Sequence, residues 1–169
     1  MTAAAATQHR VWRFGADIDT DALAPGAWMQ HGVDVIAQHC LESVRPDFAT
    51  SVQPGDVLVA GPNFGIGSSR EQAAAALRHL GVAAVVAPSF AGLFFRNAFN
   101  LGLLLLTCPG CEAIAEGERI AFDARAGTVT RSGGQVLQAD PIPAFLLAMA
   151  EAGGLLPQLQ SRFQARTAK

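Results

Sequence analysis

Between residues 57 and 107, three apolar runs alternate with two helical patterns, and this alternation limits the possible folds more than any other feature of the chain. Residues 57–60 (Val-Leu-Val-Ala), 83–87 (Ala-Ala-Val-Val-Ala) and 103–107 (Leu-Leu-Leu-Leu-Thr) are continuous rather than alternating, as strands buried on both faces of a parallel sheet should be. Residues 70–80 place Ala73, Ala74, Leu77 and Leu80 on one helical face, and residues 90–100 form a second helix. A β-α-β-α-β series requires right-handed crossovers, so the fold class is α/β, with a mainly parallel sheet and flanking helices. Downstream, residues 119–122, 128–131 and 135–138 are short and alternating. Gly127 and Ser132-Gly133-Gly134 separate them, which predicts a small antiparallel strand region. Residues 11–14 read as an opening strand and 142–152 as a last helix stopped by Gly153-Gly154. Residues 1–10 are expected to be a flexible tail and 11–169 a single domain.

Composition removes several function classes. Side chains are 50% hydrophobic and 15% charged, against about 25% charged in an average soluble chain, so much of the surface must be covered. A formal net charge of -2 without a basic patch leaves no footprint for nucleic acid or an anionic membrane. The longest apolar runs are strand-sized, well short of the ~20 residues that span a bilayer. The first ten residues lack the basic start and apolar stretch of a secretion signal, so the expected compartment is cytoplasmic. Cys40, Cys108 and Cys111 are an odd set outside any secretory context and are read as reduced thiols.

The densest chemical signal is residues 61–71, Gly-Pro-Asn-Phe-Gly-Ile-Gly-Ser-Ser-Arg-Glu, between a strand and a helix. Glycines such as Gly67 let the backbone approach a ligand, and free N–H groups at a helix start attract an anion. Arg70 adds a planar fork matched to a carboxylate or phosphate, and Ser68 or Ser69 could bind that anion or, deprotonated, act as a base. The same residues also satisfy two capping boxes, Ser68-x-x-Glu71 and Ser69-x-x-Gln72, which would only stabilise the helix. A dinucleotide fingerprint fails because Arg70 stands where a small residue is needed, and a P-loop fails for want of Gly-Lys-Ser/Thr.

Residues 63–71 closely resemble the Gly-Ser-Ser-Arg-Glu loop of the aconitase superfamily, specifically the separate small subunits of isopropylmalate isomerase-type dehydratases. Asp17-Ile18-Asp19-Thr20-Asp21 with Pro25-Gly26 resembles that family's N-terminal signature. Pro46-Asp47-Phe48, Ser89-Phe90-Ala91 and Arg96-Asn97-Ala98 running to Gly102-Leu103 are similar to its later blocks, so the resemblance spans roughly residues 11–108. It implies a swivelling β/β/α domain that closes over a large partner subunit carrying a [4Fe-4S] cluster. The implied reaction dehydrates and rehydrates a 2-hydroxy di- or tricarboxylic acid. Ser68 is then the base, and Ser69 and Arg70 bind carboxylate with Gly67 and Asn63 beside them. A non-catalytic carboxylate- or phosphate-binding module is the alternative.

Departures from the family pattern bear on the substrate. After Pro25-Gly26 the family often carries Tyr-Leu, whereas this chain reads Ala27-Trp28-Met29-Gln30-His31. Uncharged Gln30 with Trp28 and Met29 suits an isopropyl- or methyl-substituted malate, with His31 either a ligand or a solvated loop residue. Arg45 is a candidate clamp for a second carboxylate. Asp17, Asp19 and Asp21 begin like a calcium loop, but Ala22 and Trp28 stand where Gly and Glu are required. Turn and cap hydrogen bonds are expected of them instead, with Thr20 and Asp21 near the site edge. Cys40 with Cys108-x-x-Cys111 supplies enough thiols for an iron-sulfur cluster, but Cys108-Pro109-Gly110-Cys111 directly follows a strand of this chain's own pattern. No cofactor or metal is therefore assigned to this chain.

Overall fold

The computed structural model describes residues 6–167; residues 1–5 of the expected tail, and residues 168–169, lie outside the described residues. Seven strands form one sheet: β1 (His9–Arg13), β2 (Val57–Val59), β3 (Ala84–Ala87), β4 (Leu104–Thr107), β5 (Arg119–Asp123), β6 (Thr128–Arg131) and β7 (Val136–Gln138). Their order is β4-β3-β2-β1-β5-β6-β7, so β1 is central. The pairings from β1 through β2 and β3 to β4 are parallel, and those from β1 through β5 and β6 to β7 are antiparallel.

Strand β1 begins inside the stretch expected to be a tail. His9 and Arg10 pair with Ile120 and Arg119, and their polarity hides the strand because each side chain has a fixed partner. The His9 ring stacks on Phe122 with centroids 4.8 Å apart. Arg10 donates to Asp56 Oδ2 through Nε at 3.1 Å and Nη2 at 2.6 Å.

Alternate residues of the parallel strands enter two separate cores, which is why their sequences are apolar throughout. Trp12, Leu58, Val85 and Leu105 face a layer of helices. That layer comprises α1 (Thr20–Leu23), α2 (Val33–Gln38), α3 (Phe48–Ser51), α4 (Glu71–His79) and α5 (Gly92–Asn100). Alanines 73, 74 and 76 of α4 are fully buried, giving the close helix-on-sheet contact that small side chains allow. Val11, Val57, Val59, Ala84, Val86 and Leu106 face the other way, onto Ile120 and Val129 of the antiparallel half. The resulting layers are β/β/α. Two further helices follow, α6 (Ala144–Glu151) and α7 (Leu155–Thr167). Gly153 and Gly154, both at positive φ, end α6 as expected, but the chain then enters α7, which the sequence reading missed.

Candidate active site

The loops that leave the C-terminal ends of β1, β2 and β3 meet at one edge of the sheet, the usual place for ligands in an open α/β fold. The segment after β2 lies between the other two loops and is hydrogen-bonded to both. On one side Asp17 N–H donates to Pro62 O (2.9 Å), Gly65 N–H to Ile18 O (2.7 Å) and Thr20 N–H to Ile66 O (2.8 Å). On the other, Phe64 N–H donates to Ser89 O (3.1 Å) and Ala91 N–H to Phe64 O (2.9 Å). Asn97 of α5 holds the exit of the loop, its Nδ2 donating to Ser69 O at 3.3 Å. Four of the five quoted sequence blocks therefore converge here. The fifth does not: Phe48 is buried against Trp12 and Phe14 in the helix-side core.

Two glycines shape the loop. Gly65 has φ +83° and packs against Phe94, leaving no room for a Cβ. Gly67 has φ +109°, and a Cβ there would stand 3.0 Å from Thr20 Oγ1. Asn63 and Asp17 are also left-handed, at φ 63° and 58°, which these two residue types tolerate better than most. Their side chains stabilise one another, Asn63 Nδ2 donating to Asp17 Oδ1 at 2.8 Å.

The capping-box reading of the serines does not hold. Helix α4 starts after Arg70, whose extended backbone (φ -63°, ψ 107°) occupies the N-cap position without a side-chain cap. Ser68 and Ser69 are exposed, and neither hydroxyl hydrogen-bonds to another described residue. Ser68 N–H donates to Thr20 Oγ1 at 3.0 Å, so this amide is occupied and does not help stabilise an anion. Long-range bonds from Thr20 and Asn97 keep the serines ahead of the helix, overriding the local capping preference.

Arg70 is held in place by the loop after β1. Its Nη1 donates to Asp21 Oδ1 at 2.7 Å and to Ala24 O at 2.9 Å. Asp21 Oδ1 also accepts Gly26 N–H at 3.1 Å, and these two bonds hold its carboxyl below the usual carboxylate range, Arg70 contributing most. Asp19 caps α1 by accepting Ala22 N–H at 2.7 Å. Asp19 and Asp21 thus make the cap and turn bonds expected of them, whereas the Asp17 side chain bonds instead to Asn63, 46 residues away.

A 3-10 turn, Gly26–Trp28, borders this pair, a Cβ on Gly26 lying 3.8 Å from Arg70 Nη2. In and just after this turn, Trp28 and Met29 are half-buried and pack against the helix-side core, while Gln30 and His31 are exposed. Arg45 is not part of this constellation. Its Nη1 lies 2.8 Å from Glu116 Oε1 and its Nε 3.3 Å from Asp47 Oδ1, with the guanidinium 4.4 Å from the Trp12 ring centroid. Its proximity to Pro46 in sequence gave no indication of these partners. Thr20, Ser89 and Asn97 support the loop; the quoted sequence blocks contain all three, but not the bonds they make, since each acts on a residue far away in the chain.

The cysteines do not fit a cluster site. Cys40 is buried in the helix-side core and Cys108 and Cys111 in the opposite one, so the sheet separates them. Burial pushes all three thiols up, Cys111 to about 12, which disfavours the thiolate that iron needs. No group of three or more metal-ligating side chains occurs among the described residues, and no described helix is long and apolar enough to cross a membrane.

Residues 30–110 match the aconitase C-terminal domain family. The 3-isopropylmalate dehydratase small subunit of Sulfurimonas denitrificans is 43% identical over 159 residues, covering 93% of this chain and 95% of that one. The chain belongs to the 3-isopropylmalate dehydratase small-subunit family. The isopropylmalate/citramalate isomerase small subunit of Methanocaldococcus jannaschii is 40% identical, covering 90% and 93% of the two chains. The methanogen homoaconitase small subunit of Methanothermobacter thermautotrophicus is 42% identical over 87% of this chain and 86% of that one. The crystal structure of 3-isopropylmalate dehydratase from Methanocaldococcus jannaschii superposes with a TM-score of 0.89 at 34% identity, covering 95% of this chain and 97% of the other. The printed names of these relatives thus differ in substrate.

Proposed function

We propose that this chain is the small subunit of a cytoplasmic two-subunit hydro-lyase of the isopropylmalate isomerase type. It would dehydrate and rehydrate a 2-hydroxy dicarboxylic acid bearing an isopropyl or methyl group, within leucine or related branched-chain synthesis. The observation that carries this reading is the exposed edge of Ser68, Ser69 and Arg70, with both hydroxyls free of the chain and the guanidinium fixed by Asp21. A substrate carboxylate accepts from Arg70 and Ser69, which brings the adjacent C–H to Ser68. The Ser68 oxygen, as alkoxide, takes that proton, and the hydroxyl on the neighbouring carbon departs as hydroxide, which would take up a second proton from an acid on the large subunit to leave as water. That C–H is weakly acidic, so the base works only when a partner closes over the exposed edge and removes water. The family implies an iron-sulfur cluster on the large subunit, which would supply Lewis-acid assistance to the departing hydroxyl. Residues 26–31 contain no Arg or Lys, which supports a neutral substituent over a further carboxylate.

The test is anaerobic reconstitution with the large subunit from the same cells, assayed with 2-isopropylmalate by ultraviolet absorbance of the unsaturated acid. Ser68→Ala should lower kcat by roughly a hundred- to ten-thousand-fold, the range for losing a positioned base, with the complex still formed. Turnover within threefold of wild type would overturn the assignment of Ser68, and failure of the wild-type chain to pair with a large subunit would overturn the proposal as a whole.

A further inference from the structure

We propose that His39 and Glu42 are specificity-determining positioning residues, which fix the 26–31 turn through Trp28 and so set the wall beside the substrate's side group. The inference rests on the dehydratase reading above. The His39 imidazole lies flat on the Trp28 ring, with centroids 3.8 Å apart and planes 7° from parallel. His39 Nδ1 lies 2.6 Å from Glu42 Oε2, so the carboxylate sets the orientation of the stacked ring. The His31 ring at the end of the turn reaches the same indole, 5.7 Å away and tilted by 48°. Trp28 is therefore the point at which the turn is joined to the end of α2.

That end of α2 is itself fixed. Leu41 is fully buried yet has φ +61°, a conformation that costs a bulky side chain free energy and persists only where neighbours impose it. Its N–H donates to Ala22 O at 2.7 Å, tying residues 39–42 to α1, the helix that carries Asp21. The turn is thus held at its start by Asp21 on Gly26 and in its middle by His39 on Trp28. Since Gly26 adjoins Arg70, an acid gripped by Arg70 has this turn as a neighbour. His39 and Glu42 act only through the indole, and nothing in their own sequence context marks them.

A wall of this kind discriminates by size, and one methylene in a fitted pocket changes kcat/KM by about ten- to two-hundredfold. The experiment compares 2-isopropylmalate with citramalate, its methyl counterpart, in the reconstituted complex. With His39→Ala the ratio of the two kcat/KM values should shift by about tenfold, mainly through KM, with kcat for the better acid within threefold. His39→Phe restores a flat ring on Trp28 and should return the ratio to within threefold of wild type, and Glu42→Gln should fall between. An unchanged ratio in His39→Ala, or an equal kcat loss for both acids that His39→Phe does not rescue, would overturn the inference. Amide exchange of residues 26–31 in the isolated chain provides a readout independent of activity. It should accelerate in His39→Ala and recover in His39→Phe, and unaltered protection would equally overturn the inference. If the wild-type complex turns over neither acid, the dehydratase reading itself fails, while the exchange result still decides whether His39 holds the turn.

Discussion

Gly65→Ala tests whether the loop's shape is set by contact with α5. Gly65 sits at φ +83°, and a Cβ added there would overlap Phe94 Cγ and stand 2.5 Å from Phe94 Cβ. The left-handed conformation costs alanine about 1–2 kcal/mol. The Phe94 ring is 1% exposed and meets Phe64 edge-on at 5.3 Å, so it cannot move aside freely. Overpacking of this kind adds about 1–3 kcal/mol, for a total near 2–5 kcal/mol. At about 2–4 °C per kcal/mol in a chain of this size, Tm should fall by roughly 4–20 °C, read by calorimetry or circular dichroism. The two contributions separate in a double-mutant cycle with Phe94→Ala. Removing Cγ and the ring relieves most of the overlap but not the backbone cost, so the double variant should be more stable than the sum of the singles by about 1–3 kcal/mol. A Tm within 2 °C of wild type for Gly65→Ala, or strictly additive losses, would refute the reasoning.

Asp56 is 6% exposed, and its Oδ2 accepts from Arg10, Trp12 Nε1 (2.8 Å) and Gln53 N–H (2.9 Å). Burial alone would raise its pKa, but these bonds and the Arg10 charge outweigh burial and leave it below the ordinary value. A depressed carboxylate stabilises the fold above its unfolded pKa of about 3.9, and that contribution is lost as pH falls towards the folded value. Urea melts at pH 7 should show Asp56→Ala less stable by about 2–4 kcal/mol, with the gap from wild type narrowing below about pH 4; a gap independent of pH would contradict the assignment. Thr20→Val removes the acceptor of Ser68 N–H and should reduce kcat of the reconstituted enzyme about tenfold while costing only ~1 kcal/mol of stability. Unchanged kcat would mean Ser68 is positioned otherwise. The cysteines should resist alkylation at pH 8 in the native chain and react fully in denaturant, since burial holds Cys111 at about 12; one thiol reacting at the rate of free cysteine would show that its core opens.

The parallel half of the sheet was legible because its strands are apolar on both faces and its helices keep a regular period. The short helices α1 and α3 were not, since four residues carry no period and tertiary contacts decide them. Helix α7 escaped because Gly153-Gly154 reads as a terminus and its Gln, Ser and Arg residues hide a helix with no buried face. The site was legible as a motif but not as a geometry. Nothing local pairs Arg70 with Asp21, 49 residues away, or moves Arg45 to Glu116. The capping boxes failed for the same reason: Thr20 and Asn97 reach the serine backbone from distant loops, and local patterns carry no record of such bonds.

The central place of β1 has a consequence for assembly. The strand nearest the N terminus joins the parallel half to the antiparallel half, pairing Val11 with Val57 on one side and His9 with Ile120 on the other. Its partners are remote, whereas β5, β6 and β7 are joined by tight turns and close rapidly. Closure entropy is therefore expected to make the pairing of β1 with β5 form after the β5–β6 hairpin, although β1 precedes both in the chain. During synthesis His9–Arg13 can pair with β2 once residues 57–59 have emerged, but its other edge must wait for the chain beyond residue 120. Pulse-labelled exchange that found the β1 amides facing β5 protected before the β5–β6 hairpin would reverse that order.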